Sequence, residues 1–115
     1  MNQYTLILRD DPEALARISP SEMEAIVARY VRWREDNATH VTGGEKLADG
    51  TGLVLRRRGG AGLEVSDGPF IEAKEVLGGF FFIRAESLGA ARAIAETCPH
   101  LEFGSIELRL VDPTD

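Results

Sequence analysis

The sequence predicts a single α+β domain, and three observations support that prediction. The chain has 115 residues, which is about the length of one domain. Segments in which apolar and polar residues alternate are interrupted by two segments with apolar residues at helical spacing. The composition is that of an ordinary globular protein, with 43% hydrophobic and 28% charged residues.

The chain opens with a strand pattern. Residues 3 to 9 alternate with a period of two and predict the first strand. Asp10-Asp11-Pro12 is expected to end this strand, because such residues favour a turn. Residues 13 to 18 predict a loose helical turn.

The first long helix has a clear start signal. Ser19 is a suitable cap, Pro20 suits the first helical position, and Glu22 completes the capping-box spacing. The helix is expected to end near Asn37. Its predicted apolar face comprises Met23, Ile26, Val27, Tyr30 and Val31. Trp33 falls outside that face, so we expect it to flank either the core or a neighbouring element.

Glycine-rich turns divide the middle of the chain. Residues 43 to 52 predict a turn-rich stretch between two glycine clusters. Residues 53 to 56 predict a second strand, and residues 63 to 65 predict its antiparallel hairpin partner across the turn at 59 to 62. Residues 71 to 77 fit either an extended arm or a helical turn.

The last third repeats the strand–helix–strand order. Residues 79 to 84 predict the third main strand and contain three consecutive phenylalanines. Ser87 is expected to cap a second helix, which Pro99 stops. Residues 105 to 110 alternate again and predict the last strand. The predicted apolar face of the second helix comprises Leu88, Ala91, Ile94, Ala95 and Cys98.

This order of elements, β-α-β, hairpin and β-α-β, predicts a ferredoxin-like split β-α-β fold with both helices on one sheet face. The third strand is apolar on both faces, with Phe80 and Phe82 on one and Phe81 and Ile83 on the other. A chain of this size cannot bury both faces alone, so we expect a homodimer that packs sheet on sheet. The alternative is that the segments 40–52 and 59–77 cover the second face.

Charge and cysteine content exclude several classes of protein. The net charge of −6 argues against binding to nucleic acid or to an anionic membrane, because both require a basic surface. The single cysteine fits a reducing compartment. The N-terminus lacks a signal-peptide pattern, and no apolar run is long enough to span a membrane. We therefore expect a cytoplasmic protein.

Two residues are candidates for catalysis. Asp67 precedes Gly68-Pro69, and a carboxylate held at such a turn can act as a general base if it is partly buried. The alternative is a turn residue that bonds its own backbone. His100 follows Pro99 in a tight turn, where it can act as an acid or base near neutral pH. It can equally be an ordinary residue favoured by the helix dipole.

Three further residues are candidates for ligand binding. Glu72 and Lys74 share one side if their segment is extended, and there they can orient or hold an anionic ligand. The alternative is a solvent-exposed ion pair. Glu45 follows a glycine pair, at a point where a loop can enter a site or simply lie on the surface. No metal-ligand spacing, phosphate loop or dinucleotide fingerprint is present in the sequence, so we expect no metal and no cofactor.

One motif carries a resemblance to a known family. Asp67-Gly68-Pro69-Phe70, followed by Gly78-Gly79, resembles the DGPF branch of the YCII-related proteins. Gly44-Glu45-Lys46-Leu47 upstream and Cys98-Pro99-His100-Leu101 downstream extend the likeness to nearly the whole chain. The resemblance implies a ferredoxin-like dimeric α+β barrel.

The resemblance also implies two alternative functions. A few proteins of the wider group resemble small lyase-like enzymes with a His–Asp pair in a cleft, which here implies proton-transfer chemistry on a small molecule. The wider group carries its histidine on or near the first helix, whereas the first histidine here, His40, follows that helix. The second function is that of a noncatalytic accessory dimer linked to an extracytoplasmic-function sigma factor, with the motif as a structural staple.

Overall fold

The computed structural model of the protein describes residues 1–57, 59–60, 62–68 and 76–113. Its strands and helices are, in chain order, β1 (Asn2–Asp10), α1 (Pro12–Ala16), α2 (Pro20–Asp36), β2 (Val41–Lys46), β3 (Leu53–Arg57), β4 (Leu63–Asp67), β5 (Val76–Ala85), α3 (Leu88–Ala95), a 3₁₀ turn (Pro99–Glu102) and β6 (Gly104–Leu110). The predicted α+β class is confirmed.

The main sheet has four strands in the order β2-β5-β1-β6. All of its neighbouring strands are antiparallel, and β5 lies between β1 and β2. Strands β3 and β4 pair with each other in a second sheet of two strands, as the hairpin prediction required. Within the described residues, no helix is long and apolar enough to cross a membrane.

The core lies between the main sheet and the helices. Alternate residues of β1 and β5 point into it, and Leu6 and Ile83 are completely buried. The other residues of this buried cluster include Tyr4, Leu8, Trp33, Phe81, Ala85, Ala91, Ala95 and Cys98. On the opposite side of the sheet, Ile7, Phe80 and Phe82 are only partly covered. Strand β5 therefore has apolar side chains on both faces, as predicted.

Helix α2 begins as predicted but turns a different side to the core. Ser19 and Glu22 form the expected capping box. The prediction that Trp33 lies beside the core was wrong, because this residue is buried in it and only 5% exposed. Val31, which was predicted on the face toward the core, is 52% exposed. The side facing the core carries Ile26, Tyr30 and Trp33, whose indole nitrogen donates to Thr97 Oγ1 at 3.0 Å. A tryptophan can pack in a core when its N–H finds such a partner.

Strand β2 replaces part of the predicted turn-rich stretch. A glycine pair usually indicates a turn, but Gly43 and Gly44 pair with β5 in the main sheet. A Cβ atom at Gly44 would lie 2.6 Å from the carbonyl oxygen of Phe80. The glycine therefore allows a close approach of two strands, which is a recognised role for glycine inside a strand.

The hairpin of β3 and β4 is exposed on its apolar side. Leu55 and Val65 face each other across the hairpin and are 58% and 53% exposed. Residues 71–75 of the segment with the ambiguous prediction lie outside the described residues. Val76 and Leu77 are extended and begin β5.

Candidate active site

A cavity of about 320 Å³ opens between α2, the main sheet and the 3₁₀ turn. Most of its wall is apolar and comprises Leu8, Leu15, Met23, Val27, Val31, Phe81 and Phe103. Its polar and charged side chains are those of Asp10, Tyr30, Arg34, Glu45, Lys46, Asp49 and His100. A mostly apolar cavity with a few convergent polar groups is typical of a small-molecule site.

His100 is held at the base of this cavity by the 3₁₀ turn. It is 2% exposed. Its Nε2 lies 2.8 Å from the backbone carbonyl oxygen of Arg9, and its Nδ1 lies 2.7 Å from the hydroxyl oxygen of Tyr30. Because a carbonyl only accepts hydrogen bonds, Nε2 must carry a proton. In the neutral ring Nδ1 is then the acceptor, and the Tyr30 hydroxyl donates to it.

Asp10 lies beside His100 because β1 continues its alternation to the end. Tyr4, Leu6 and Leu8 face the helices, and Asp10 follows with the same parity. Its Oδ1 is 3.7 Å from Nε2 of His100, and its side chain is only 14% exposed. Burial raises the pKa of this carboxyl above its ordinary value, and the neighbouring His100 partly counteracts the rise.

Two glycines leave space for this pair. The pairing of β1 with β5 shifts register after Leu8, and the shift leaves Gly78 against the Asp10 carboxylate. A Cβ atom at Gly78 would overlap that carboxylate. Likewise, a Cβ atom at Gly104 would lie 2.6 Å from Nε2 of His100. Bulges of this kind are common beside active sites, where they redirect a side chain.

The other wall of the cavity is a second apolar stripe on α2. Met23, Val27 and Val31 follow one another at helical spacing and line the cavity instead of the core. Arg34 continues the stripe, and its guanidinium carbon lies 5.5 Å from the centre of the Phe81 ring. This contact is within the range of a cation–π interaction.

A comparison with protein families identifies the chain. The model of the YCII-related domain matches residues 2–115. The chain belongs to the YCII-related family.

Among solved structures, this YCII-related chain is similar to 5-chloro-2-hydroxyhydroquinone dehydrochlorinase (TftG) from Burkholderia phenoliruptrix AC1100, in complex with 2,5-dihydroxybenzoquinone. The identity is 15%, the TM-score is 0.54, and the match covers 96% of this chain and 93% of the other. A likeness at this identity concerns the fold. No curated protein matches the sequence significantly.

The structure brings together some of the predicted site residues of this YCII-related chain. His100 and Glu45 both line the cavity. Asp67 lies at the exposed end of β4, outside the set of described residues that line the cavity. Glu72 and Lys74 lie outside the described residues. The aspartate beside His100 is therefore Asp10, which the sequence reading treated only as the end of a strand.

Sequence reasoning missed Asp10 and the role of Tyr30. The signal for Asp10 was its parity, since it occupies the next inward position after Leu8. No local sequence pattern indicates the contact of Tyr30, because its hydrogen-bond partner His100 is 70 residues away in the sequence. Within the described part of the chain, no group of three or more His, Cys, Asp or Glu residues converges on a metal-sized site.

Proposed function

We propose that this protein binds a small, largely apolar molecule in the cavity and catalyses a lyase-like proton transfer on it. The observation that carries the proposal is the pairing of His100 with Asp10, 3.7 Å apart, at the base of an apolar cavity. Burial raises the pKa of the Asp10 carboxyl, and a carboxyl perturbed in this way beside a cavity is characteristic of functional sites.

The pair is suited to hold a proton taken from a ligand. His100 accepts the proton, and the Asp10 carboxylate together with the Arg9 carbonyl stabilises the resulting imidazolium. The low-dielectric surroundings strengthen this attraction relative to the same pair in water.

The cavity also indicates a class of ligand. Its volume of about 320 Å³ and its apolar wall suit a molecule built on a single ring. The similar solved structure is named as a dehydrochlorinase in complex with 2,5-dihydroxybenzoquinone. Loss of hydrogen chloride includes the removal of a proton, so oxygenated rings are the first ligands to test on this chain.

The test is calorimetric titration with 2,5-dihydroxybenzoquinone and a panel of small acids and phenols. We expect at least one of them to bind the wild-type protein, and Asp10→Asn to weaken that binding by roughly tenfold or more. Asp67→Asn is the matched control, because Asp67 is exposed and is not among the described residues that line the cavity. If Asp67→Asn loses binding and Asp10→Asn binds as wild type does, the site lies at the Asp-Gly-Pro turn instead.

We further propose that the protein is a homodimer with a ferredoxin-like fold. The strand order β2-β5-β1-β6 supports the split β-α-β plan, because one strand separates the members of each β-α-β unit. The molecule measures 49 × 43 × 18 Å, and its radius of gyration is 16.3 Å, above the roughly 13 Å of a compact chain of this size. A thin molecule with Phe80 and Phe82 on its open sheet face is suited to pack against a second copy.

The noncatalytic alternative uses the same open sheet face. An accessory dimer linked to a sigma factor would bind through surfaces and would not need the cavity. It predicts that no member of the ligand panel binds and that Asp10→Asn is indistinguishable from wild type in every ligand titration.

A further inference from the structure

Both ring nitrogens of His100 are already engaged by the protein. Nε2 donates to the Arg9 carbonyl at 2.8 Å, and Nδ1 lies 2.7 Å from the Tyr30 hydroxyl. Tyr30 is also part of the cavity wall. A proton that moves from a ligand in the cavity to Nδ1 must therefore pass the oxygen of Tyr30.

We propose that Tyr30 relays a proton from a hydroxyl group of the ligand to His100. The inference rests on the proposed function, because it names the path by which the His100–Asp10 pair receives its proton. It also narrows the ligand class to a small ring with an acidic hydroxyl group, such as a phenol or a hydroxyquinone.

The relay consists of two coupled proton transfers. The O–H bond of the ligand breaks, its electrons stay on the ligand oxygen, and its proton bonds to the oxygen of Tyr30. At the same time the original O–H bond of Tyr30 breaks, and that proton bonds to the lone pair of Nδ1. The products are a ligand oxyanion, a neutral Tyr30 that now donates to this oxyanion, and an imidazolium beside Asp10. No group is oxidised or reduced.

The surroundings of Tyr30 favour a relay over permanent ionisation. Its ring lies among Phe81, His100 and Phe103, at centroid distances of 6.4 to 6.5 Å. Burial, and after it the neighbouring Cys98, Asp10 and Glu102, raise the pKa of the Tyr30 hydroxyl well above its ordinary value. Glu102 is itself paired with Arg29 of α2. The hydroxyl therefore stays protonated and passes a proton on.

The relay also makes His100 a switch for the direction of the Tyr30 hydroxyl. When the imidazole is neutral, the hydroxyl proton points at Nδ1. When the ring is protonated, Nδ1 becomes a donor to the Tyr30 oxygen, and the hydroxyl proton must turn elsewhere. The cavity is available to it, because Tyr30 lines the wall. The charged state of the site thus presents a donor where the ligand oxyanion forms.

The probe for the test is para-nitrophenol, which is colourless as the phenol and yellow as the phenolate. Absorbance titration of the protein-bound probe gives the pH midpoint of its ionisation in wild type, Tyr30→Phe, Asp10→Asn and Tyr4→Phe. Nitrogen NMR of the His100 ring reports its protonation in the same samples. Tyr4→Phe is the matched control, since Tyr4 is the second tyrosine of the chain and is buried in the core.

We expect Tyr30→Phe to raise the midpoint by roughly one to two pH units, because the oxyanion loses a hydrogen-bond donor. His100 should become doubly protonated when wild type binds the phenolate, and stay singly protonated in Tyr30→Phe. Tyr4→Phe should follow wild type. An unchanged midpoint in Tyr30→Phe, with a raised midpoint in Asp10→Asn, overturns the relay and leaves the proposed function standing. Failure of the wild-type protein to bind the probe overturns the relay. No change in either cavity variant while the probe binds, or failure to bind any member of the ligand panel, overturns both.

Discussion

Asp10 shows how the last residue of a strand can place a carboxyl group in a cavity. Its backbone belongs to β1, and its parity directs the side chain toward the helices. At that end of the strand the apolar core gives way to the cavity, so the carboxylate is mostly removed from water but still lines the cavity. This burial makes the ionised form of the carboxyl costly to the folded chain.

This cost predicts the pH dependence of stability. Because burial raises the pKa of Asp10 above its ordinary 3.8, the folded chain holds this proton more tightly than the unfolded chain does. The stability gained from protonation is full below pH 3.8 and is lost as the pH rises through the raised pKa. We expect Asp10→Asn, which cannot ionise, to unfold with a free energy higher than that of wild type at neutral pH by about 1 kcal/mol.

Urea unfolding across the acid range measures this difference. The advantage of Asp10→Asn should shrink as the pH falls through the raised pKa of Asp10 and should be absent below pH 3.8. Asp67→Asn, an exposed carboxylate on β4, should follow the wild-type profile throughout. An advantage that grows as the pH falls would show that Asp10 is stabilised in its ionised form.

The glycine beside His100 predicts a second result. In Gly104→Ala the new methyl group would crowd Nε2 of His100 and the Arg9 carbonyl, which are hydrogen-bonded to each other. We expect a loss of about 1–3 kcal/mol in the free energy of unfolding, the usual cost of overpacking. Gly60→Ala is the control, because a Cβ atom there meets nothing within 4 Å, and its effect should stay within about 0.5 kcal/mol. Equal values for the two variants in urea unfolding would contradict this account.

At the residue scale, the sequence singles out His100 because histidine can act as an acid or base near neutral pH, and the structure places this residue in the cavity wall. Its catalytic role stays a prediction. The sequence does not indicate Asp10 as a site residue, because aspartate followed by Asp11-Pro12 indicates a turn. That local signal is correct, since Asp11 caps α1 through its side chain. It concealed the fact that Asp10 is still in the strand, which only the pairing with β5 and β6 decides.

Helix α2 carries two apolar stripes, one packed in the core and one lining the cavity. One stripe, which includes Ile26 and Trp33, is buried in the core. The other, which includes Val27 and Val31, lines the cavity and remains about half exposed. Sequence periodicity merged them into one broad face, because helical spacing alone does not distinguish core contact from cavity contact.

The two stripes should respond differently to truncation. Ile26→Ala removes a side chain that is 6% exposed and should lower the free energy of unfolding by about 2–5 kcal/mol. Val27→Ala removes one that is 52% exposed and should change stability by about 0.5 kcal/mol or less. Chemical unfolding separates the two variants. In contrast, a ligand from the panel should bind Val27→Ala more weakly than wild type, because the variant lacks part of the apolar cavity wall. Comparable stability losses would mean that the cavity stripe is part of the core.

The remaining elements were predicted to the extent that local signals determine them. The capping box of Ser19 and the cap of Ser87 are formed as expected, because they depend on residues within one turn of helix. Strand β2 was missed because its place in the sheet depends on β5, which lies about 40 residues further along the chain. Long-range pairing overrides the turn preference of a glycine pair.

At the scale of the whole molecule, the open sheet face predicts the oligomeric state. Light scattering of the wild-type protein at micromolar concentration should give twice the chain mass of 12.6 kDa. Phe80→Glu places a charge at the centre of the proposed interface and should yield the monomer, because burying an unpaired charge is costly. Leu88→Glu is the control on α3, where the side chain is 59% exposed, and it should remain dimeric. A monomeric wild type would contradict the sheet-on-sheet proposal.

Cys98 can report how often the segment around the 3₁₀ turn opens. The thiol is the single one in the sequence, is 3% exposed, and lies two residues before His100. Burial raises its pKa to about 11, so the folded chain presents almost no reactive thiolate at neutral pH. A thiol reagent therefore reacts only when the segment around the 3₁₀ turn opens. The labelling rate of the unmodified protein therefore measures how often the segment that carries His100 opens, and a bound ligand that contacts this segment should lower that rate.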